Sequence, residues 1–200
     1  MPTLPQLDTT PRRNRVNIPE KTLAKLRFLS AIFFSAILLI ALQRITIEQP
    51  LKRGDQAPDL TFEDLNGEEI ALTHLYGQRL AVWFFSVDCP LCKKELRYVE
   101  RLQATYDGRV EFLLITMSER KRTRSFLDSL GITIPTAVDE NGRARTAFGA
   151  FTVPALFLIN PQGTVYSSSL GERSPDVRGE QLKSFLRATA GPDPSAGLLR

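Results

Sequence analysis

The chain has 200 residues, 42% of them hydrophobic, and carries 26 Lys/Arg against 22 Asp/Glu, enough for one ordinary domain with extensions. Its charge is uneven: residues 1–53 hold nine basic side chains against three acidic, and residues 54–200 hold 17 against 19. The basic excess therefore belongs to the N-terminal segment. The rest of the chain lacks the footprint of a nucleic-acid binder, and no nucleic-acid partner is expected.

Residues 1–25 are polar, contain four prolines and are expected to form a disordered cytoplasmic segment. Arg12, Arg13, Arg15, Lys21, Lys25 and Arg27 precede an uncharged run over 28–42. Fifteen residues of helix reach about 22 Å, short of a hydrocarbon core of about 30 Å. Extending the run over 26–47, with Arg27 and Arg44 snorkelling, closes the gap and predicts one transmembrane anchor in contact with membrane lipid. The positive excess before it places the N-terminus in the cytoplasm and the following domain on the extracytoplasmic, periplasm-like side. A cleaved signal peptide is the competing reading, but no small-x-small site follows the run. Residues 48–53 are expected to be a tether containing Pro50.

The domain expected over 54–190 opens on a turn, Gly54-Asp-Gln-Ala-Pro58. Segments 60–63 and 70–73 read as strands of a hairpin around Asn66-Gly67. Segment 80–86 is an apolar, aromatic strand that ends at Cys89-Pro-Leu-Cys92. The following helix, to about Tyr106, carries Leu96, Val99, Leu102 and Tyr106 at helical spacing. Residues 110–116 form a second buried strand. Ser118 reads as the N-cap of a helix closed by Gly131, and its charged first turns, 119–124, read as a solvated face. A short strand over 136–139, a short helix over 143–148, a strand over 155–160, a turn at Pro161-Gln-Gly163 and a strand over 164–168 follow. A helix over 176–190 should turn Val177, Leu182, Phe185 and Leu186 inward, and 191–200 reads as a flexible tail. The order implies an α/β mixed sheet with helices on both faces.

Cys89 and Cys92 are the only cysteines. Zinc wants four ligands, and neither a second pair nor more than one histidine, His74, is available. A bridge closing so small a loop is a poor structural staple. A Cys-x-x-Cys between strand and helix instead suits thiol chemistry, because free N–H groups and the helix dipole favour a thiolate at the helix start. Pro90 fits the first helical position, where no N–H is needed.

With those residues in place, the domain resembles the thioredoxin fold, and within it the membrane-anchored TlpA-, ResA- and CcmG-like thiol–disulfide oxidoreductases. Gly54-Asp-x-Ala-Pro58, the run from Cys89 to Glu95, and Val153-Pro154 through Asn160 with Gly163 carry the likeness. Ser86-x-x-Cys-Pro-x-Cys92 is also similar to MauD-type proteins. The resemblance implies that Cys89 attacks a partner disulfide and Cys92 resolves the mixed disulfide. It further implies that Pro154 is a cis-proline facing the pair, that Val153 offers its backbone to a substrate strand, and that Glu95 handles protons. It implies a protein substrate, a membrane thiol carrier as electron donor, a role of the cytochrome c or enzyme maturation type, and no metal or organic cofactor. The chain departs from the pattern at Asp88, commonly Trp, and at Trp83, where many thioredoxins carry a buried Asp. A negative Asp88 beside Cys89 should oppose the helix dipole, disfavour the thiolate and make a better reductant.

Two other functions compete. Peroxiredoxins share the Gly-Asp-x-Ala-Pro turn and use Pro-x-x-x-Thr-x-x-Cys; here Ser86 fits the Thr place but Val82 occupies the Pro place, so a peroxidase using Cys89 is the weaker reading. A copper metallochaperone would use thiolates with a distant histidine. The spacing here is one residue short, and His74 lies before the pair.

Overall fold

The computed structural model describes residues 20–44 and 49–189; in the first stretch, side chains are described at 25 and 27–38. Of the segment over 1–25 expected to be disordered, residues 1–19 lie outside the described residues and residues 20–25 are helical; positions 45–48 and 190–200, of the anchor, tether and tail, also lie outside the described residues. The chain divides into two units, Met1–Ile47 and Glu48–Arg200. The first holds one helix, α1 (Glu20–Arg44). Its Phe28, Leu29, Ile32, Phe33 and Phe34 are exposed. Among the described residues, no helix is long and apolar enough to cross a membrane; the described side chains of α1 run over only twelve consecutive positions.

The second unit is built on one sheet of seven strands: β1 (Thr61–Asp64), β2 (Glu69–Ala71), β3 (Leu80–Phe85), β4 (Glu111–Thr116), β5 (Thr136–Val138), β6 (Ala155–Ile159) and β7 (Val165–Leu170). Their order is β2-β1-β5-β4-β3-β6-β7. β3 runs parallel to β4 and β4 to β5, whereas β6 and β7 turn back antiparallel. A strand covered on both faces reads as a continuous apolar run, and all six residues of β3 are buried. Ala81, Trp83 and Phe85 face one core with α2 (Pro90–Tyr106), α3 (Arg120–Leu130) and α5 (Pro175–Thr189). Leu80, Val82 and Phe84 face the other with α4 (Arg143–Phe148) and the short 3-10 turn Leu72–Leu75. Helices thus cover both faces, as the mixed α/β pattern requires.

Two local expectations change. Ser118 is not a helix cap: Glu119 holds that position without a side-chain bond. The Ser118 hydroxyl accepts instead from the Val87 N–H at 3.3 Å, tying α3 to the loop before the cysteines. On α5, Val177 is 44% exposed while Arg178 is fully buried. Arg178, Leu182 and Phe185 follow the i, i+4, i+7 stripe, and Val177 lies off it.

Residues just before the domain pack on it. Leu51 N–H donates to the Phe148 carbonyl at 3.0 Å, and the Ser168 hydroxyl donates to the Leu51 carbonyl at 2.6 Å. Gly149, at φ +64°, makes this contact possible. A Cβ there would lie 2.5 Å from Pro50 Cα and 2.6 Å from the Gln49 carbonyl oxygen.

Candidate active site

β3, an interior strand, ends at Phe85, and the loop over 86–88 turns the chain into α2. Cys89 is the N-cap of α2, in extended backbone (φ −96°, ψ 109°), with Pro90 at the first helical position. Its sulfur accepts from the Cys92 N–H at 3.1 Å, supplying one of the partners that a helix start lacks. Cys89 is half-buried; Cys92, one turn in, has no exposed surface. Burial pushes the Cys92 thiol far up from its ordinary value, and the bond to Cys89 and the charge of Glu95 add to the effect.

The Val153–Pro154 peptide bond is cis. It brings the Val153 carbonyl 4.0 Å from Cys89 Sγ, while Pro154 itself is buried at the head of β6. Cys89, Cys92, Val153 and Pro154 are therefore assembled in one place, although 64 positions separate Cys89 from Val153. His74 is exposed on the 3-10 turn. Among the described residues, no group of three or more His, Cys, Asp or Glu side chains is arranged to hold a metal ion. Val82, at the proline place of the peroxidase pattern, lies buried within β3.

Asp88 is not the bare charge that its sequence position suggests. Its carboxylate accepts from Arg122 Nη2 at 2.7 Å, a pair on the exposed surface. Part of the charged run on α3 thereby becomes the counter-charge of the active-site loop. Arg120 pairs with Glu63, and Arg124 donates to the Leu65 carbonyl and the Asn66 side chain.

Glu95 is a buried residue rather than a solvated one, 5% exposed. Its Oε1 accepts from Arg178 Nε at 2.6 Å, and its Oε2 is buried with no hydrogen-bond partner. The Arg178 guanidinium lies 5.1 Å from the centre of the Trp83 ring. Burial pulls the Arg178 guanidinium down from its ordinary value, and the Glu95 carboxylate opposes that shift. Sequence reasoning missed Arg178, although its spacing from Leu182 and Phe185 places it on the buried stripe.

A strand feeding a helix whose first turn carries one accessible and one buried thiol defines the thioredoxin-fold class of thiol–disulfide oxidoreductases. The AhpC/TSA family pattern matches residues 53–168, and the chain belongs to that family, in its ResA-like thiol–disulfide oxidoreductase branch. Thiol-disulfide oxidoreductase ResA of Bacillus subtilis is 30% identical over 120 residues, 59% of this chain and 67% of that protein. A secreted disulfide oxidoreductase of Mycobacterium tuberculosis homologous to Escherichia coli DsbE superposes with a TM-score of 0.57 at 20% identity, covering 65% of this chain and 96% of that one. The peroxidoxin BcpB of the same organism superposes at 0.63 and 20% identity, over 70% and 99%. These two likenesses show the fold alone, which both chemistries share.

Proposed function

We propose that this thiol–disulfide oxidoreductase is membrane-anchored, acts outside the cytoplasm and reduces a disulfide in a partner protein, in the manner of cytochrome c or enzyme maturation. The observation that carries the reading is the contrast between the two thiols: Cys89 reachable at the helix start, Cys92 wholly buried behind it. Cys89 Sγ attacks one sulfur of the partner disulfide; a Cys89–partner bond forms and the other partner sulfur leaves as a thiolate. Cys92 Sγ then attacks Cys89 Sγ, closing the Cys89–Cys92 bond and releasing the second partner sulfur. Two electrons pass from the dithiol to the partner, and a membrane thiol carrier restores the dithiol. The Val153 backbone offers its polar groups to the substrate strand beside Pro154, and Glu95 receives the proton of Cys92.

The environment of Cys92 supports the reducing direction. A strong oxidant of this fold is one whose reduced form is stabilised. Here Cys92 is buried next to a carboxylate, and Arg122, which reaches the loop before the cysteines, is already paired with Asp88. Neither feature stabilises a reduced pair through its thiolates. The anchor reading is supported by the uncharged run over 28–42, which lies within α1. Apolar side chains are exposed on it at 28, 29, 32, 33, 34, 37 and 38.

The test is the reduction potential of the full-length protein equilibrated against dithiothreitol or glutathione. A value near about −270 mV supports a reductant, and one near about −120 mV overturns the direction. A Cys92→Ser variant incubated with membranes should retain its partner as a mixed disulfide that Cys89→Ser does not form. Rapid, saturable peroxide consumption would favour the peroxidase reading instead.

A further inference from the structure

Glu95 stands three residues beyond Cys92 on the same buried face of α2, the spacing at which helix side chains are neighbours. A carboxyl in such a place can persist as a neutral acid or as an anion, and the two forms have opposite uses. A neutral acid donates a proton; a carboxylate accepts one.

The surroundings decide between them. Arg178 reaches Glu95 from α5 with no exposed surface of its own. Its Nη1 donates to Ser169 Oγ at 2.5 Å and to Gln181 Oε1 at 3.3 Å, and its Nη2 donates to the Gly171 carbonyl at 3.1 Å. These acceptors are neutral, so among the described residues Glu95 Oε1, at 2.6 Å, is the one anion that the guanidinium touches. A buried guanidinium does not shed its proton, and without a paired anion it is very costly. The other ionisable groups that bear on the pair are Cys92 and Cys89 on α2, and Arg173 before α5, which repels Arg178. From β3, Trp83 presents its ring to the guanidinium. Only one carboxylate oxygen is used by Arg178. The other, Oε2, is left buried and unpartnered, an expense that a purely structural pair would have no reason to carry.

We propose that Arg178 is the positioning residue of this active site: it fixes Glu95 as a carboxylate, oriented by Oε1, and keeps Oε2 free to take the proton of Cys92. The proposal rests on the dithiol mechanism given above. In its second step Cys92 Sγ–H gives its proton to Glu95 Oε2 as the Cys92–Cys89 bond forms. The Cys89–partner bond breaks, and the departing partner thiolate is protonated by water. Because Arg178 holds its charge throughout, the acceptor keeps its paired cation at every step of the cycle. Ser169 and Gly171 at the end of β7 and Gln181 on α5 make the guanidinium rigid, so the far edge of the sheet sets the protonation state at the cysteines.

The test uses the full-length chain in detergent. First, the side-chain carboxyl carbon of Glu95 is followed by carbon-13 NMR, assigned through its own backbone. The carbon shift of an ionised carboxylate is expected in the wild type, and the shift of a protonated carboxylic acid overturns the proposal. This arm needs no variant, so a variant that fails to fold does not leave the question open. Second, reduced protein is mixed with dithiobis-nitrobenzoate in a stopped-flow instrument. The first nitrothiolate release reads attack by Cys89 and the second reads resolution by Cys92. In Arg178→Met the second phase alone should slow as pH falls, by up to about tenfold per pH unit, the dependence set by a single proton. Arg178→Lys should restore the flat profile. An Arg178→Met profile that superimposes on the wild type, with only a lowered melting temperature, makes Arg178 a structural residue and overturns the proposal. If the wild type reduces no disulfide, the mechanism itself fails; the carbon shift still reports whether Glu95 is held as a carboxylate.

Discussion

A buried thiol has a price that depends on pH, and Cys92 makes it measurable. Its ordinary value is 9.0 and burial drives it well above that in the folded protein. Below pH 9 the thiol keeps its proton in folded and unfolded chains alike, and the stability that depends on it is fully present. Above pH 9 the unfolded chain releases the proton while the folded chain still holds it, so stability is lost as pH rises. One proton corresponds to about 1.4 kcal/mol per pH unit, or at most about 2.7 kcal/mol between pH 9 and 11. That is a large part of the stability of an ordinary domain, about 5–15 kcal/mol. The assay is urea unfolding of the reduced protein and of a Cys92→Ala variant at pH 8, 9, 10 and 11. Tyrosines, lysines and Cys89 are common to both and cancel. The two stability curves should converge or cross as pH rises, whereas the oxidised protein, with no Cys92 proton to lose, should track the variant. Parallel curves for reduced wild type and variant would refute the reasoning, since Cys92 would then ionise equally in both states.

Gly149→Ala should destabilise the domain by about 2–4 kcal/mol, combining a left-handed alanine with displacement of the segment at Gln49–Pro50; an unchanged urea midpoint would show that the segment yields freely. Arg122→Ala frees the charge of Asp88 next to the helix start, and alkylation of Cys89 by iodoacetamide should slow two- to threefold at low salt, about the value of an exposed ion pair, and recover in 1 M salt. Asp88→Asn should move the same rate the opposite way; a slower rate in that variant would contradict the electrostatic account.

Much of the fold was legible because its signals are local. The run over 80–85 is apolar at every position, which only a strand covered on both faces needs, and β3 has that burial throughout. Gly131 and Gly149 close α3 and α4 in the left-handed conformation. The spacing of Leu96, Val99, Leu102 and Tyr106 gives the inward face of α2 directly. What escaped reading was polar and long-range. Arg178 lies 83 positions from Glu95, and an arginine carries no hint of burial until its partner is known. Val177 looked like the better core residue by hydrophobicity alone, yet the phase set by Leu182 and Phe185 excludes it. Ser118 carried a capping signal, but a hydroxyl bonds whichever donor the fold brings near, and here that is Val87. Asp88 was visible as a charge and invisible as half of a pair, because Arg122 arrives from another helix.

The same distinction explains why a Cys-x-x-Cys motif alone does not set the direction of electron flow. Spacing guarantees that Cys92 can close on Cys89, and the helix start guarantees that one sulfur meets the Cys92 N–H. Which redox state is favoured depends on how the protein treats Cys92 as a thiolate, and that treatment comes from outside the motif. The surrounding core withholds water, α5 supplies Arg178, and Arg178 holds a carboxylate one turn away. Each of these raises the cost of a charged Cys92 or provides for the removal of its proton only when the bond to Cys89 can form. A dithiol so arranged is protected from premature ionisation, a property that the proposed reducing role requires.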